Sequence, residues 1–262
     1  MPETIKGGQA LPGYAAKKIF AIWHGQPGSG KTSALLSYPP PIHFVNLDKD
    51  PSALTLKLPA HYEIVYEGIQ YDMDLSPSMA NTVLAKIEAM ILKAAAYAKA
   101  HPDAPGSFCL DGSDLWWDDV KIAKLPKGAD EAAARDYADA NAHMNTNLAR
   151  LYNAPMHVGL SAMSKEIWRQ QSKGTGTYDP DGFRHRGRWI THEVYMFSPE
   201  DTAPTLSPSS GETGQTHRSY IQKSKLNEAL VRRVIPNLSF KVLYKLTFGE
   251  LPANHEQLWT PS

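Results

Sequence analysis

Gly25-Gln26-Pro27-Gly28-Ser29-Gly30-Lys31-Thr32 is the stretch on which the reading of the whole chain turns. It fits the pattern G-x-x-x-x-G-K-[ST] at every fixed position, and its flanks agree with it. Ahead of it, Lys18-Ile19-Phe20-Ala21-Ile22-Trp23 is a short apolar, β-branched and aromatic run that reads as a buried strand. Behind it, Thr32–Tyr38 is helix-compatible until Pro39-Pro40-Pro41 breaks it, and Ile42–Leu47 gives a second apolar run. Strand, glycine-rich turn, helix, strand is the start of a βαβ unit. In that setting the glycines let backbone N–H groups turn inward around phosphate oxygens, Lys31 neutralises the β and γ phosphates, and the Thr32 hydroxyl ligates Mg²⁺. Gly25, Gln26, Pro27, Gly28, Ser29, Gly30, Lys31, Thr32 and Ser33 are therefore the expected nucleotide-binding residues.

Further along, Val83, Ile87, Met90, Ile91 and Ala94 fall at helical spacing within residues 78–100. Ser107–Leu110 then forms a third apolar strand that runs into Asp111. Residues 129–152 repeat the helical pattern through Tyr137, Met144, Leu148 and Leu151, and Met156–Ser161 gives a fourth strand. Strands alternating with helices predict an α/β fold with a mostly parallel central sheet covered on both faces. From Ser164 to Trp189 the pattern dissolves into Gly, Thr, Pro, Arg and Lys, which reads as a long mobile basic loop. Strand-like runs at 193–197, 220–222 and 240–247, separated by turn material at 207–215 and Pro236-Asn237, are expected to complete the sheet as antiparallel members. Residues 1–17 read as a tail or leading loop, 18–250 as one domain, and 251–262 as a second tail.

Composition sets the bounds. The chain has 262 residues, 42% hydrophobic and 21% charged, so it holds ample material for a packed core. Lys plus Arg and Asp plus Glu each number 27, so no global field draws it to polyanions or membranes, and any such site is local. The lone Cys109 forms no intramolecular disulfide, and the first twenty residues lack a signal-peptide core, so a reducing, cytoplasmic setting is expected. No stretch reaches the roughly 18 apolar residues needed to cross a bilayer, so no membrane partner is expected.

A phosphate loop needs a second metal-organising carboxylate at a neighbouring strand tip. Asp111 is the candidate, the competing reading being that it caps the next helix with Gly112 and Ser113. Asp114, Asp118 and Asp119, interleaved with Trp116 and Trp117, read as a solvated helix face. Asp48, ending the second strand, points to the same crevice and can position a water, with Asp50 as its competitor. Ser161, ending the fourth strand, can sense the γ-phosphate or serve as a satisfied turn hydroxyl. Between 165 and 189, Lys165, Arg169, Lys173, Arg184, Arg186 and Arg188 face three acids, a local charge of +3, and Trp168, Tyr178, Phe183 and Trp189 are interleaved with them. Cations and aromatic platforms together suit single-stranded nucleic acid, so Lys165, Trp168, Arg169, Lys173, Arg184, Arg186 and Arg188 are the expected contacts; the alternative is aromatics folded back onto the core. His24, His43 and His157 show no metal-ligand spacing, and the chain has no nucleophile-elbow motif and no guanine-reading Asn-Lys-x-Asp.

In this order, Lys18–Thr32, Asp48, Phe108–Ser113, the helix Asp136–Tyr152, Met156–Ser161 with its basic segment, and Ile221-Gln222-Lys223-Ser224-Lys225 resemble the RecA-type recombinase core over roughly residues 18 to 250. The chain looks most like the short phage-encoded ATPases of single-strand annealing and recombination. That resemblance implies a RecA-like P-loop NTPase fold, ATP with Mg²⁺, and slow, DNA-stimulated hydrolysis. It also implies self-association into a ring or filament with ATP between subunits, single-stranded DNA as partner, and a single-strand-binding protein as a further one. It gives Asp48 the role of base and Ser161 that of γ-phosphate sensor, and it has Lys223 and Lys225 reach the neighbouring subunit's ATP. Asp48 is one methylene shorter than the family's usual glutamate, and Ser161 replaces a longer polar side chain. A helicase-loader or helicase-type motor would use the same site. A nucleotide or small-molecule kinase would use 164–189 as a lid.

Overall fold

In the computed structural model, the described residues are 17–48, 62–69, 76–125, 133–169, 173–197 and 218–251. The two expected tails, Asp50 and the turn material at 207–215 lie essentially outside them.

The short apolar runs become strands because each is buried on both faces. β1 (Phe20–Gly25) is buried at every position, as are β2 (Ile42–Asn46) and β4 (Ser107–Asp111). Their side chains alternate between two cores. Phe20, Ile22, Val45, Leu47, Phe108 and Leu110 pack on one face, and Ile19, Ala21, Trp23, Ile42, Phe44 and Cys109 on the other. The remaining strands are β3 (Ile64–Gly68), β5 (His157–Arg169), β6 (Lys173–Pro180), β7 (His192–Met196), β8 (Arg218–Ser224) and β9 (Val234–Pro236). The order is β3-β2-β4-β5-β1-β7-β8-β9, with β6 paired to β5 alone. From β3 through β7 every neighbour is parallel, and β6, β8 and β9 add antiparallel members. This is the mixed α/β, mostly parallel architecture that the sequence implies.

Two helical layers cover the sheet. On the first core lie α2 (Pro77–Ala100), α3 (Ser113–Lys124) and α4 (Ala138–Asn153); on the second lie α1 (Lys31–Leu35) and α5 (Phe240–Phe248). α2 starts where Ser76 accepts the Met79 N–H at 3.2 Å and Pro77 opens the first turn, and it buries Ala80, Val83, Leu84, Ile87, Met90, Ile91, Ala94 and Ala98 at helical spacing. No described helix is long and apolar enough to cross a membrane.

Three expectations are corrected. Residues 240–247 are helix, not strand: Ser239 caps the N-terminus, and Phe240, Leu243, Tyr244 and Thr247 are buried at a spacing of three and four. The aromatic and β-branched composition imitates a strand, but the period is helical. The basic segment is no loop, since β5 continues to Arg169 and turns back through β6 as an antiparallel hairpin, followed by a 3-10 turn at Arg184–Arg188. The run at 192–196 joins the sheet parallel to β1, so the antiparallel completion begins one strand later than expected.

Three histidines are buried neutral in this frame. Burial lowers His24 and His157 to about 3 and His192 to about 4. Protonation of these side chains in the unfolded chain begins near 6.5, so stability is full above that pH and falls as pH drops below it, by up to about 1.4 kcal/mol per unit for each. Burial raises Asp111, Asp114 and Glu193, a contribution of the opposite sign that runs from their unfolded values up to their raised folded ones. Urea unfolding should therefore show a lower midpoint at about pH 5.5 than at about pH 7. An unchanged midpoint would show that the three rings do not stay neutral in the fold.

Candidate functional site

The residues of the glycine-rich motif leave the carboxyl end of β1 and re-enter structure as α1. Gly28 and Gly30 hold positive φ of 78° and 91°, a conformation that side chains with a Cβ resist. Gly25 is required by space: a Cβ there would sit 2.6 Å from Ser29 Oγ and against the Met196 carbonyl. The loop wraps Lys31, only 8% exposed, whose ammonium donates to the carbonyls of Gly25 and Gln26 at 3.0 Å each and lies 3.9 Å from Met163 Sδ. Burial lowers the Lys31 pKa, opposed by the charges of Asp111, Asp48 and Asp114.

Asp111 ends β4, two strands from β1, because β5 intervenes. At about 4.8 Å per strand, α1 must lean across β5 for its first turn to reach this acid. Gly159 on β5 permits the approach, since a Cβ there would lie 2.8 Å from both Leu35 Cδ2 and Tyr38 Cζ. Thr32 Oγ1 accordingly donates to Asp111 Oδ2 at 2.6 Å. On its other side Asp111 Oδ1 accepts the Ser161 hydroxyl, and Ser161 Oγ accepts the Gly112 N–H at 2.9 Å. Burial raises the Asp111 pKa, while the Ser161 and Thr32 hydrogen bonds oppose the rise. The carboxylate is thus committed to Thr32 and Ser161, and the helix-capping alternative drops out, because Gly112 occupies the cap position of α3.

Asp48 is exposed just past β2, its backbone pinned by Asn46: the Asp48 N–H donates to Asn46 Oδ1 at 3.2 Å. Its charge acts on both Lys31 and Asp111, so it faces the same crevice. Sequence reasoning missed Asp114. It stands in the first turn of α3, half-buried, accepts the Met163 N–H and bears electrostatically on Lys31; its place three residues beyond the acid-tipped strand was the available signal. The solvated-face reading of the α3 acids holds for Asp118 but not for Asp119, which is 1% exposed, or Asp114.

His24, one residue before the loop, lies at the centre of a buried network. Its Nε2 meets Gln222 Oε1 at 2.6 Å and its Nδ1 meets Ser164 Oγ at 2.7 Å. Gln222 Nε2 donates to the Tyr178 carbonyl at 2.7 Å, so its oxygen faces the ring, His24 carries its proton on Nε2, and Ser164 donates to Nδ1. The loop strand is thereby tied to β5, β6 and β8.

The expected nucleic-acid contacts divide. Arg184 and Arg188 are exposed, and Lys165 is half-exposed in an ion pair with Asp181. Arg186 is corrected: at 7% exposure it is interior, donating to the Phe183 carbonyl at 2.9 Å and to Asp179 at 3.2 Å, so it braces the turn. Phe183 and Trp189 pack on the core and Tyr178 stacks on Tyr195, as the fold-back alternative has it. The side chains of Trp168, Arg169 and Lys173 lie outside the described residues. Lys223 and Lys225 donate to the carbonyls of Gly187 and Arg188 at 3.1 and 2.9 Å, clamping the same 3-10 turn within the chain.

No protein-family model matches the chain, and no curated protein matches it. Among solved structures it is similar to a KaiC-like protein from the hyperthermophilic archaeon Pyrococcus horikoshii, with 10% identity, a TM-score of 0.43, and coverage of 83% of this chain and 84% of that one.

The loop geometry makes one substitution decisive. Gly25→Ala should abolish nucleotide binding and lower the thermal midpoint, because the added methyl must displace Ser29 or the β7 backbone. Calorimetric titration with an ATP analogue beside a melting curve checks both, and intact binding would contradict the geometry.

Proposed function

We propose that the chain is a RecA-like ATPase that binds Mg²⁺-ATP on residues 25–33, hydrolyses it slowly, self-assembles head to tail, and handles single-stranded DNA in recombination or annealing of the phage type. The observation that carries the reading is the convergence of Lys31, Thr32 and Asp111: a cation held inside the loop, and a hydroxyl already bonded to a buried carboxylate at the neighbouring strand tip.

The donor set fits the cofactor. Ser29 Oγ is buried with no hydrogen-bond partner, inside a loop whose other groups suit an anion. Thr32 and Asp111 would hold Mg²⁺, which would supply positive charge against the phosphate groups. Lys31 exchanges its carbonyl partners for phosphate oxygens without leaving its place. Ser161 acts through Asp111, fixing its rotamer, and Asp48 orients the attacking water from the exposed side. Lys165, Arg184 and Arg188 supply strand contacts. Lys223 and Lys225 would act across a subunit boundary only after releasing the Gly187 and Arg188 carbonyls.

Lys31→Ala should cut turnover by about a hundredfold or more while leaving the fold intact. Wild-type turnover should rise with single-stranded DNA, and particle size should rise with a non-hydrolysable ATP analogue. A phosphate-release assay with light scattering reads all three, and unchanged turnover in Lys31→Ala would overturn the site.

A further inference from the structure

The outward side of α3 carries Asp114, Trp117, Asp118 and Lys121, at the i, i+3, i+4, i+7 spacing of one helix stripe, while Trp116 and Val120 point into the core. That stripe forms one wall of a cleft of about 620 Å³. Tyr137 and Asn141 from the start of α4 close one end, and Lys165 with residues 181–185 forms the opposite wall. No residue of the phosphate loop lines it. The cleft nevertheless adjoins that site through Asp114, which accepts the Met163 N–H and bears on Lys31.

Its chemistry is selective. Trp117 presents a half-buried indole, stacked with Tyr137 at 6.3 Å between ring centroids and tilted against Phe183 at 5.1 Å, so a flat apolar surface is fixed in place before any ligand arrives. The ion pairs Lys121–Asp118, at 2.6 Å, and Lys165–Asp181 consume two of the three cations. Arg184 is exposed and has no carboxylate partner among the described residues. With Asp118 and Asp181 neutralised by the two lysines, Asp114 and Arg184 are left, so the lining carries no net positive charge to draw a polyphosphate, whereas one uncommitted guanidinium suits a single anionic group.

We propose that this cleft binds one nucleotide unit, its base against Trp117 and its single phosphate group on Arg184, as a site separate from the ATP site. It deepens the strand-handling part of the proposed function and rests on that part only. The unit can come from a link in a single strand or from a free mononucleotide: in both, one phosphate group accepts from the guanidinium, with one negative charge in the diester and up to two in the monoester.

The test is photocrosslinking with Mg²⁺ and a saturating non-hydrolysable ATP analogue present. One probe is an oligothymidylate carrying an iodouracil, the other is iododeoxyuridine monophosphate. Both should crosslink within residues 114–121, 137–141 or 181–185; labelling by the strand alone assigns the unit to a linked chain and still supports the cleft. Trp117→Leu should weaken strand binding about tenfold, the usual loss of one stacked base, and the exposed Arg184→Ala tests the site should the indole prove necessary for folding. Crosslinks from both probes falling elsewhere, or no crosslinks at all, overturn the proposal. So does labelling chased by the ATP analogue, which would make the cleft part of the ATP site, and so does wild-type affinity in folded variants. None of these readouts requires hydrolysis, so a chain without ATPase activity would still decide the matter.

Discussion

The Asp111 carboxylate, 2% exposed and held between Thr32 and Ser161, is the constraint around which the site is arranged. It joins α1, β4 and β5 at one point, and it is possible because Gly159 lets α1 lie close across the intervening strand. Burying an anion is costly unless it is bonded and compensated. Here two hydroxyls bond it and buried Lys31 lies nearby, each charge easing the other's burial. With Asp48 and Asp114 also bearing on Lys31, the acids around the loop outnumber its one cation. An incoming triphosphate meets net repulsion unless a divalent cation comes with it.

The His24 network gives the loop a second tether. A neutral ring with both nitrogens bonded, to Ser164 and Gln222, fixes the end of β1 against the base of the β5–β6 hairpin and against β8. Lys223, next to Gln222, holds the turn that carries Arg184 and Arg188. A shift of the loop strand is thus mechanically connected to the basic hairpin and turn through packed, hydrogen-bonded neighbours rather than through a flexible linker.

The parts of the fold that were legible in the sequence are those where burial sets the pattern. β1, β2, β4 and the first half of β5 are buried on both faces, so their apolar runs were unmistakable, and the glycine-rich motif between β1 and α1 needed no tertiary information. The basic hairpin was misread because β5 beyond Ser164 leaves the helix-covered sheet: its hydrogen bonds to β6 continue while its apolar pattern stops, and hydrophobicity reports burial rather than pairing. β3 escaped notice because it is an edge strand whose residues are exposed or half-buried. Asp114 and the interior place of Arg186 depend on how α3 meets the turn after β6, which no local pattern encodes.

The central claim is that the Lys31, Thr32 and Asp111 cluster binds a nucleoside triphosphate together with Mg²⁺. Isothermal titration of a non-hydrolysable ATP analogue into the wild-type protein, with Mg²⁺ and then with a chelator, tests it most directly. The account predicts one saturable site whose affinity falls about tenfold or more when the cation is removed, because the surrounding carboxylates then face the phosphates uncompensated. Equal affinity in both conditions, or no binding in either, would contradict it.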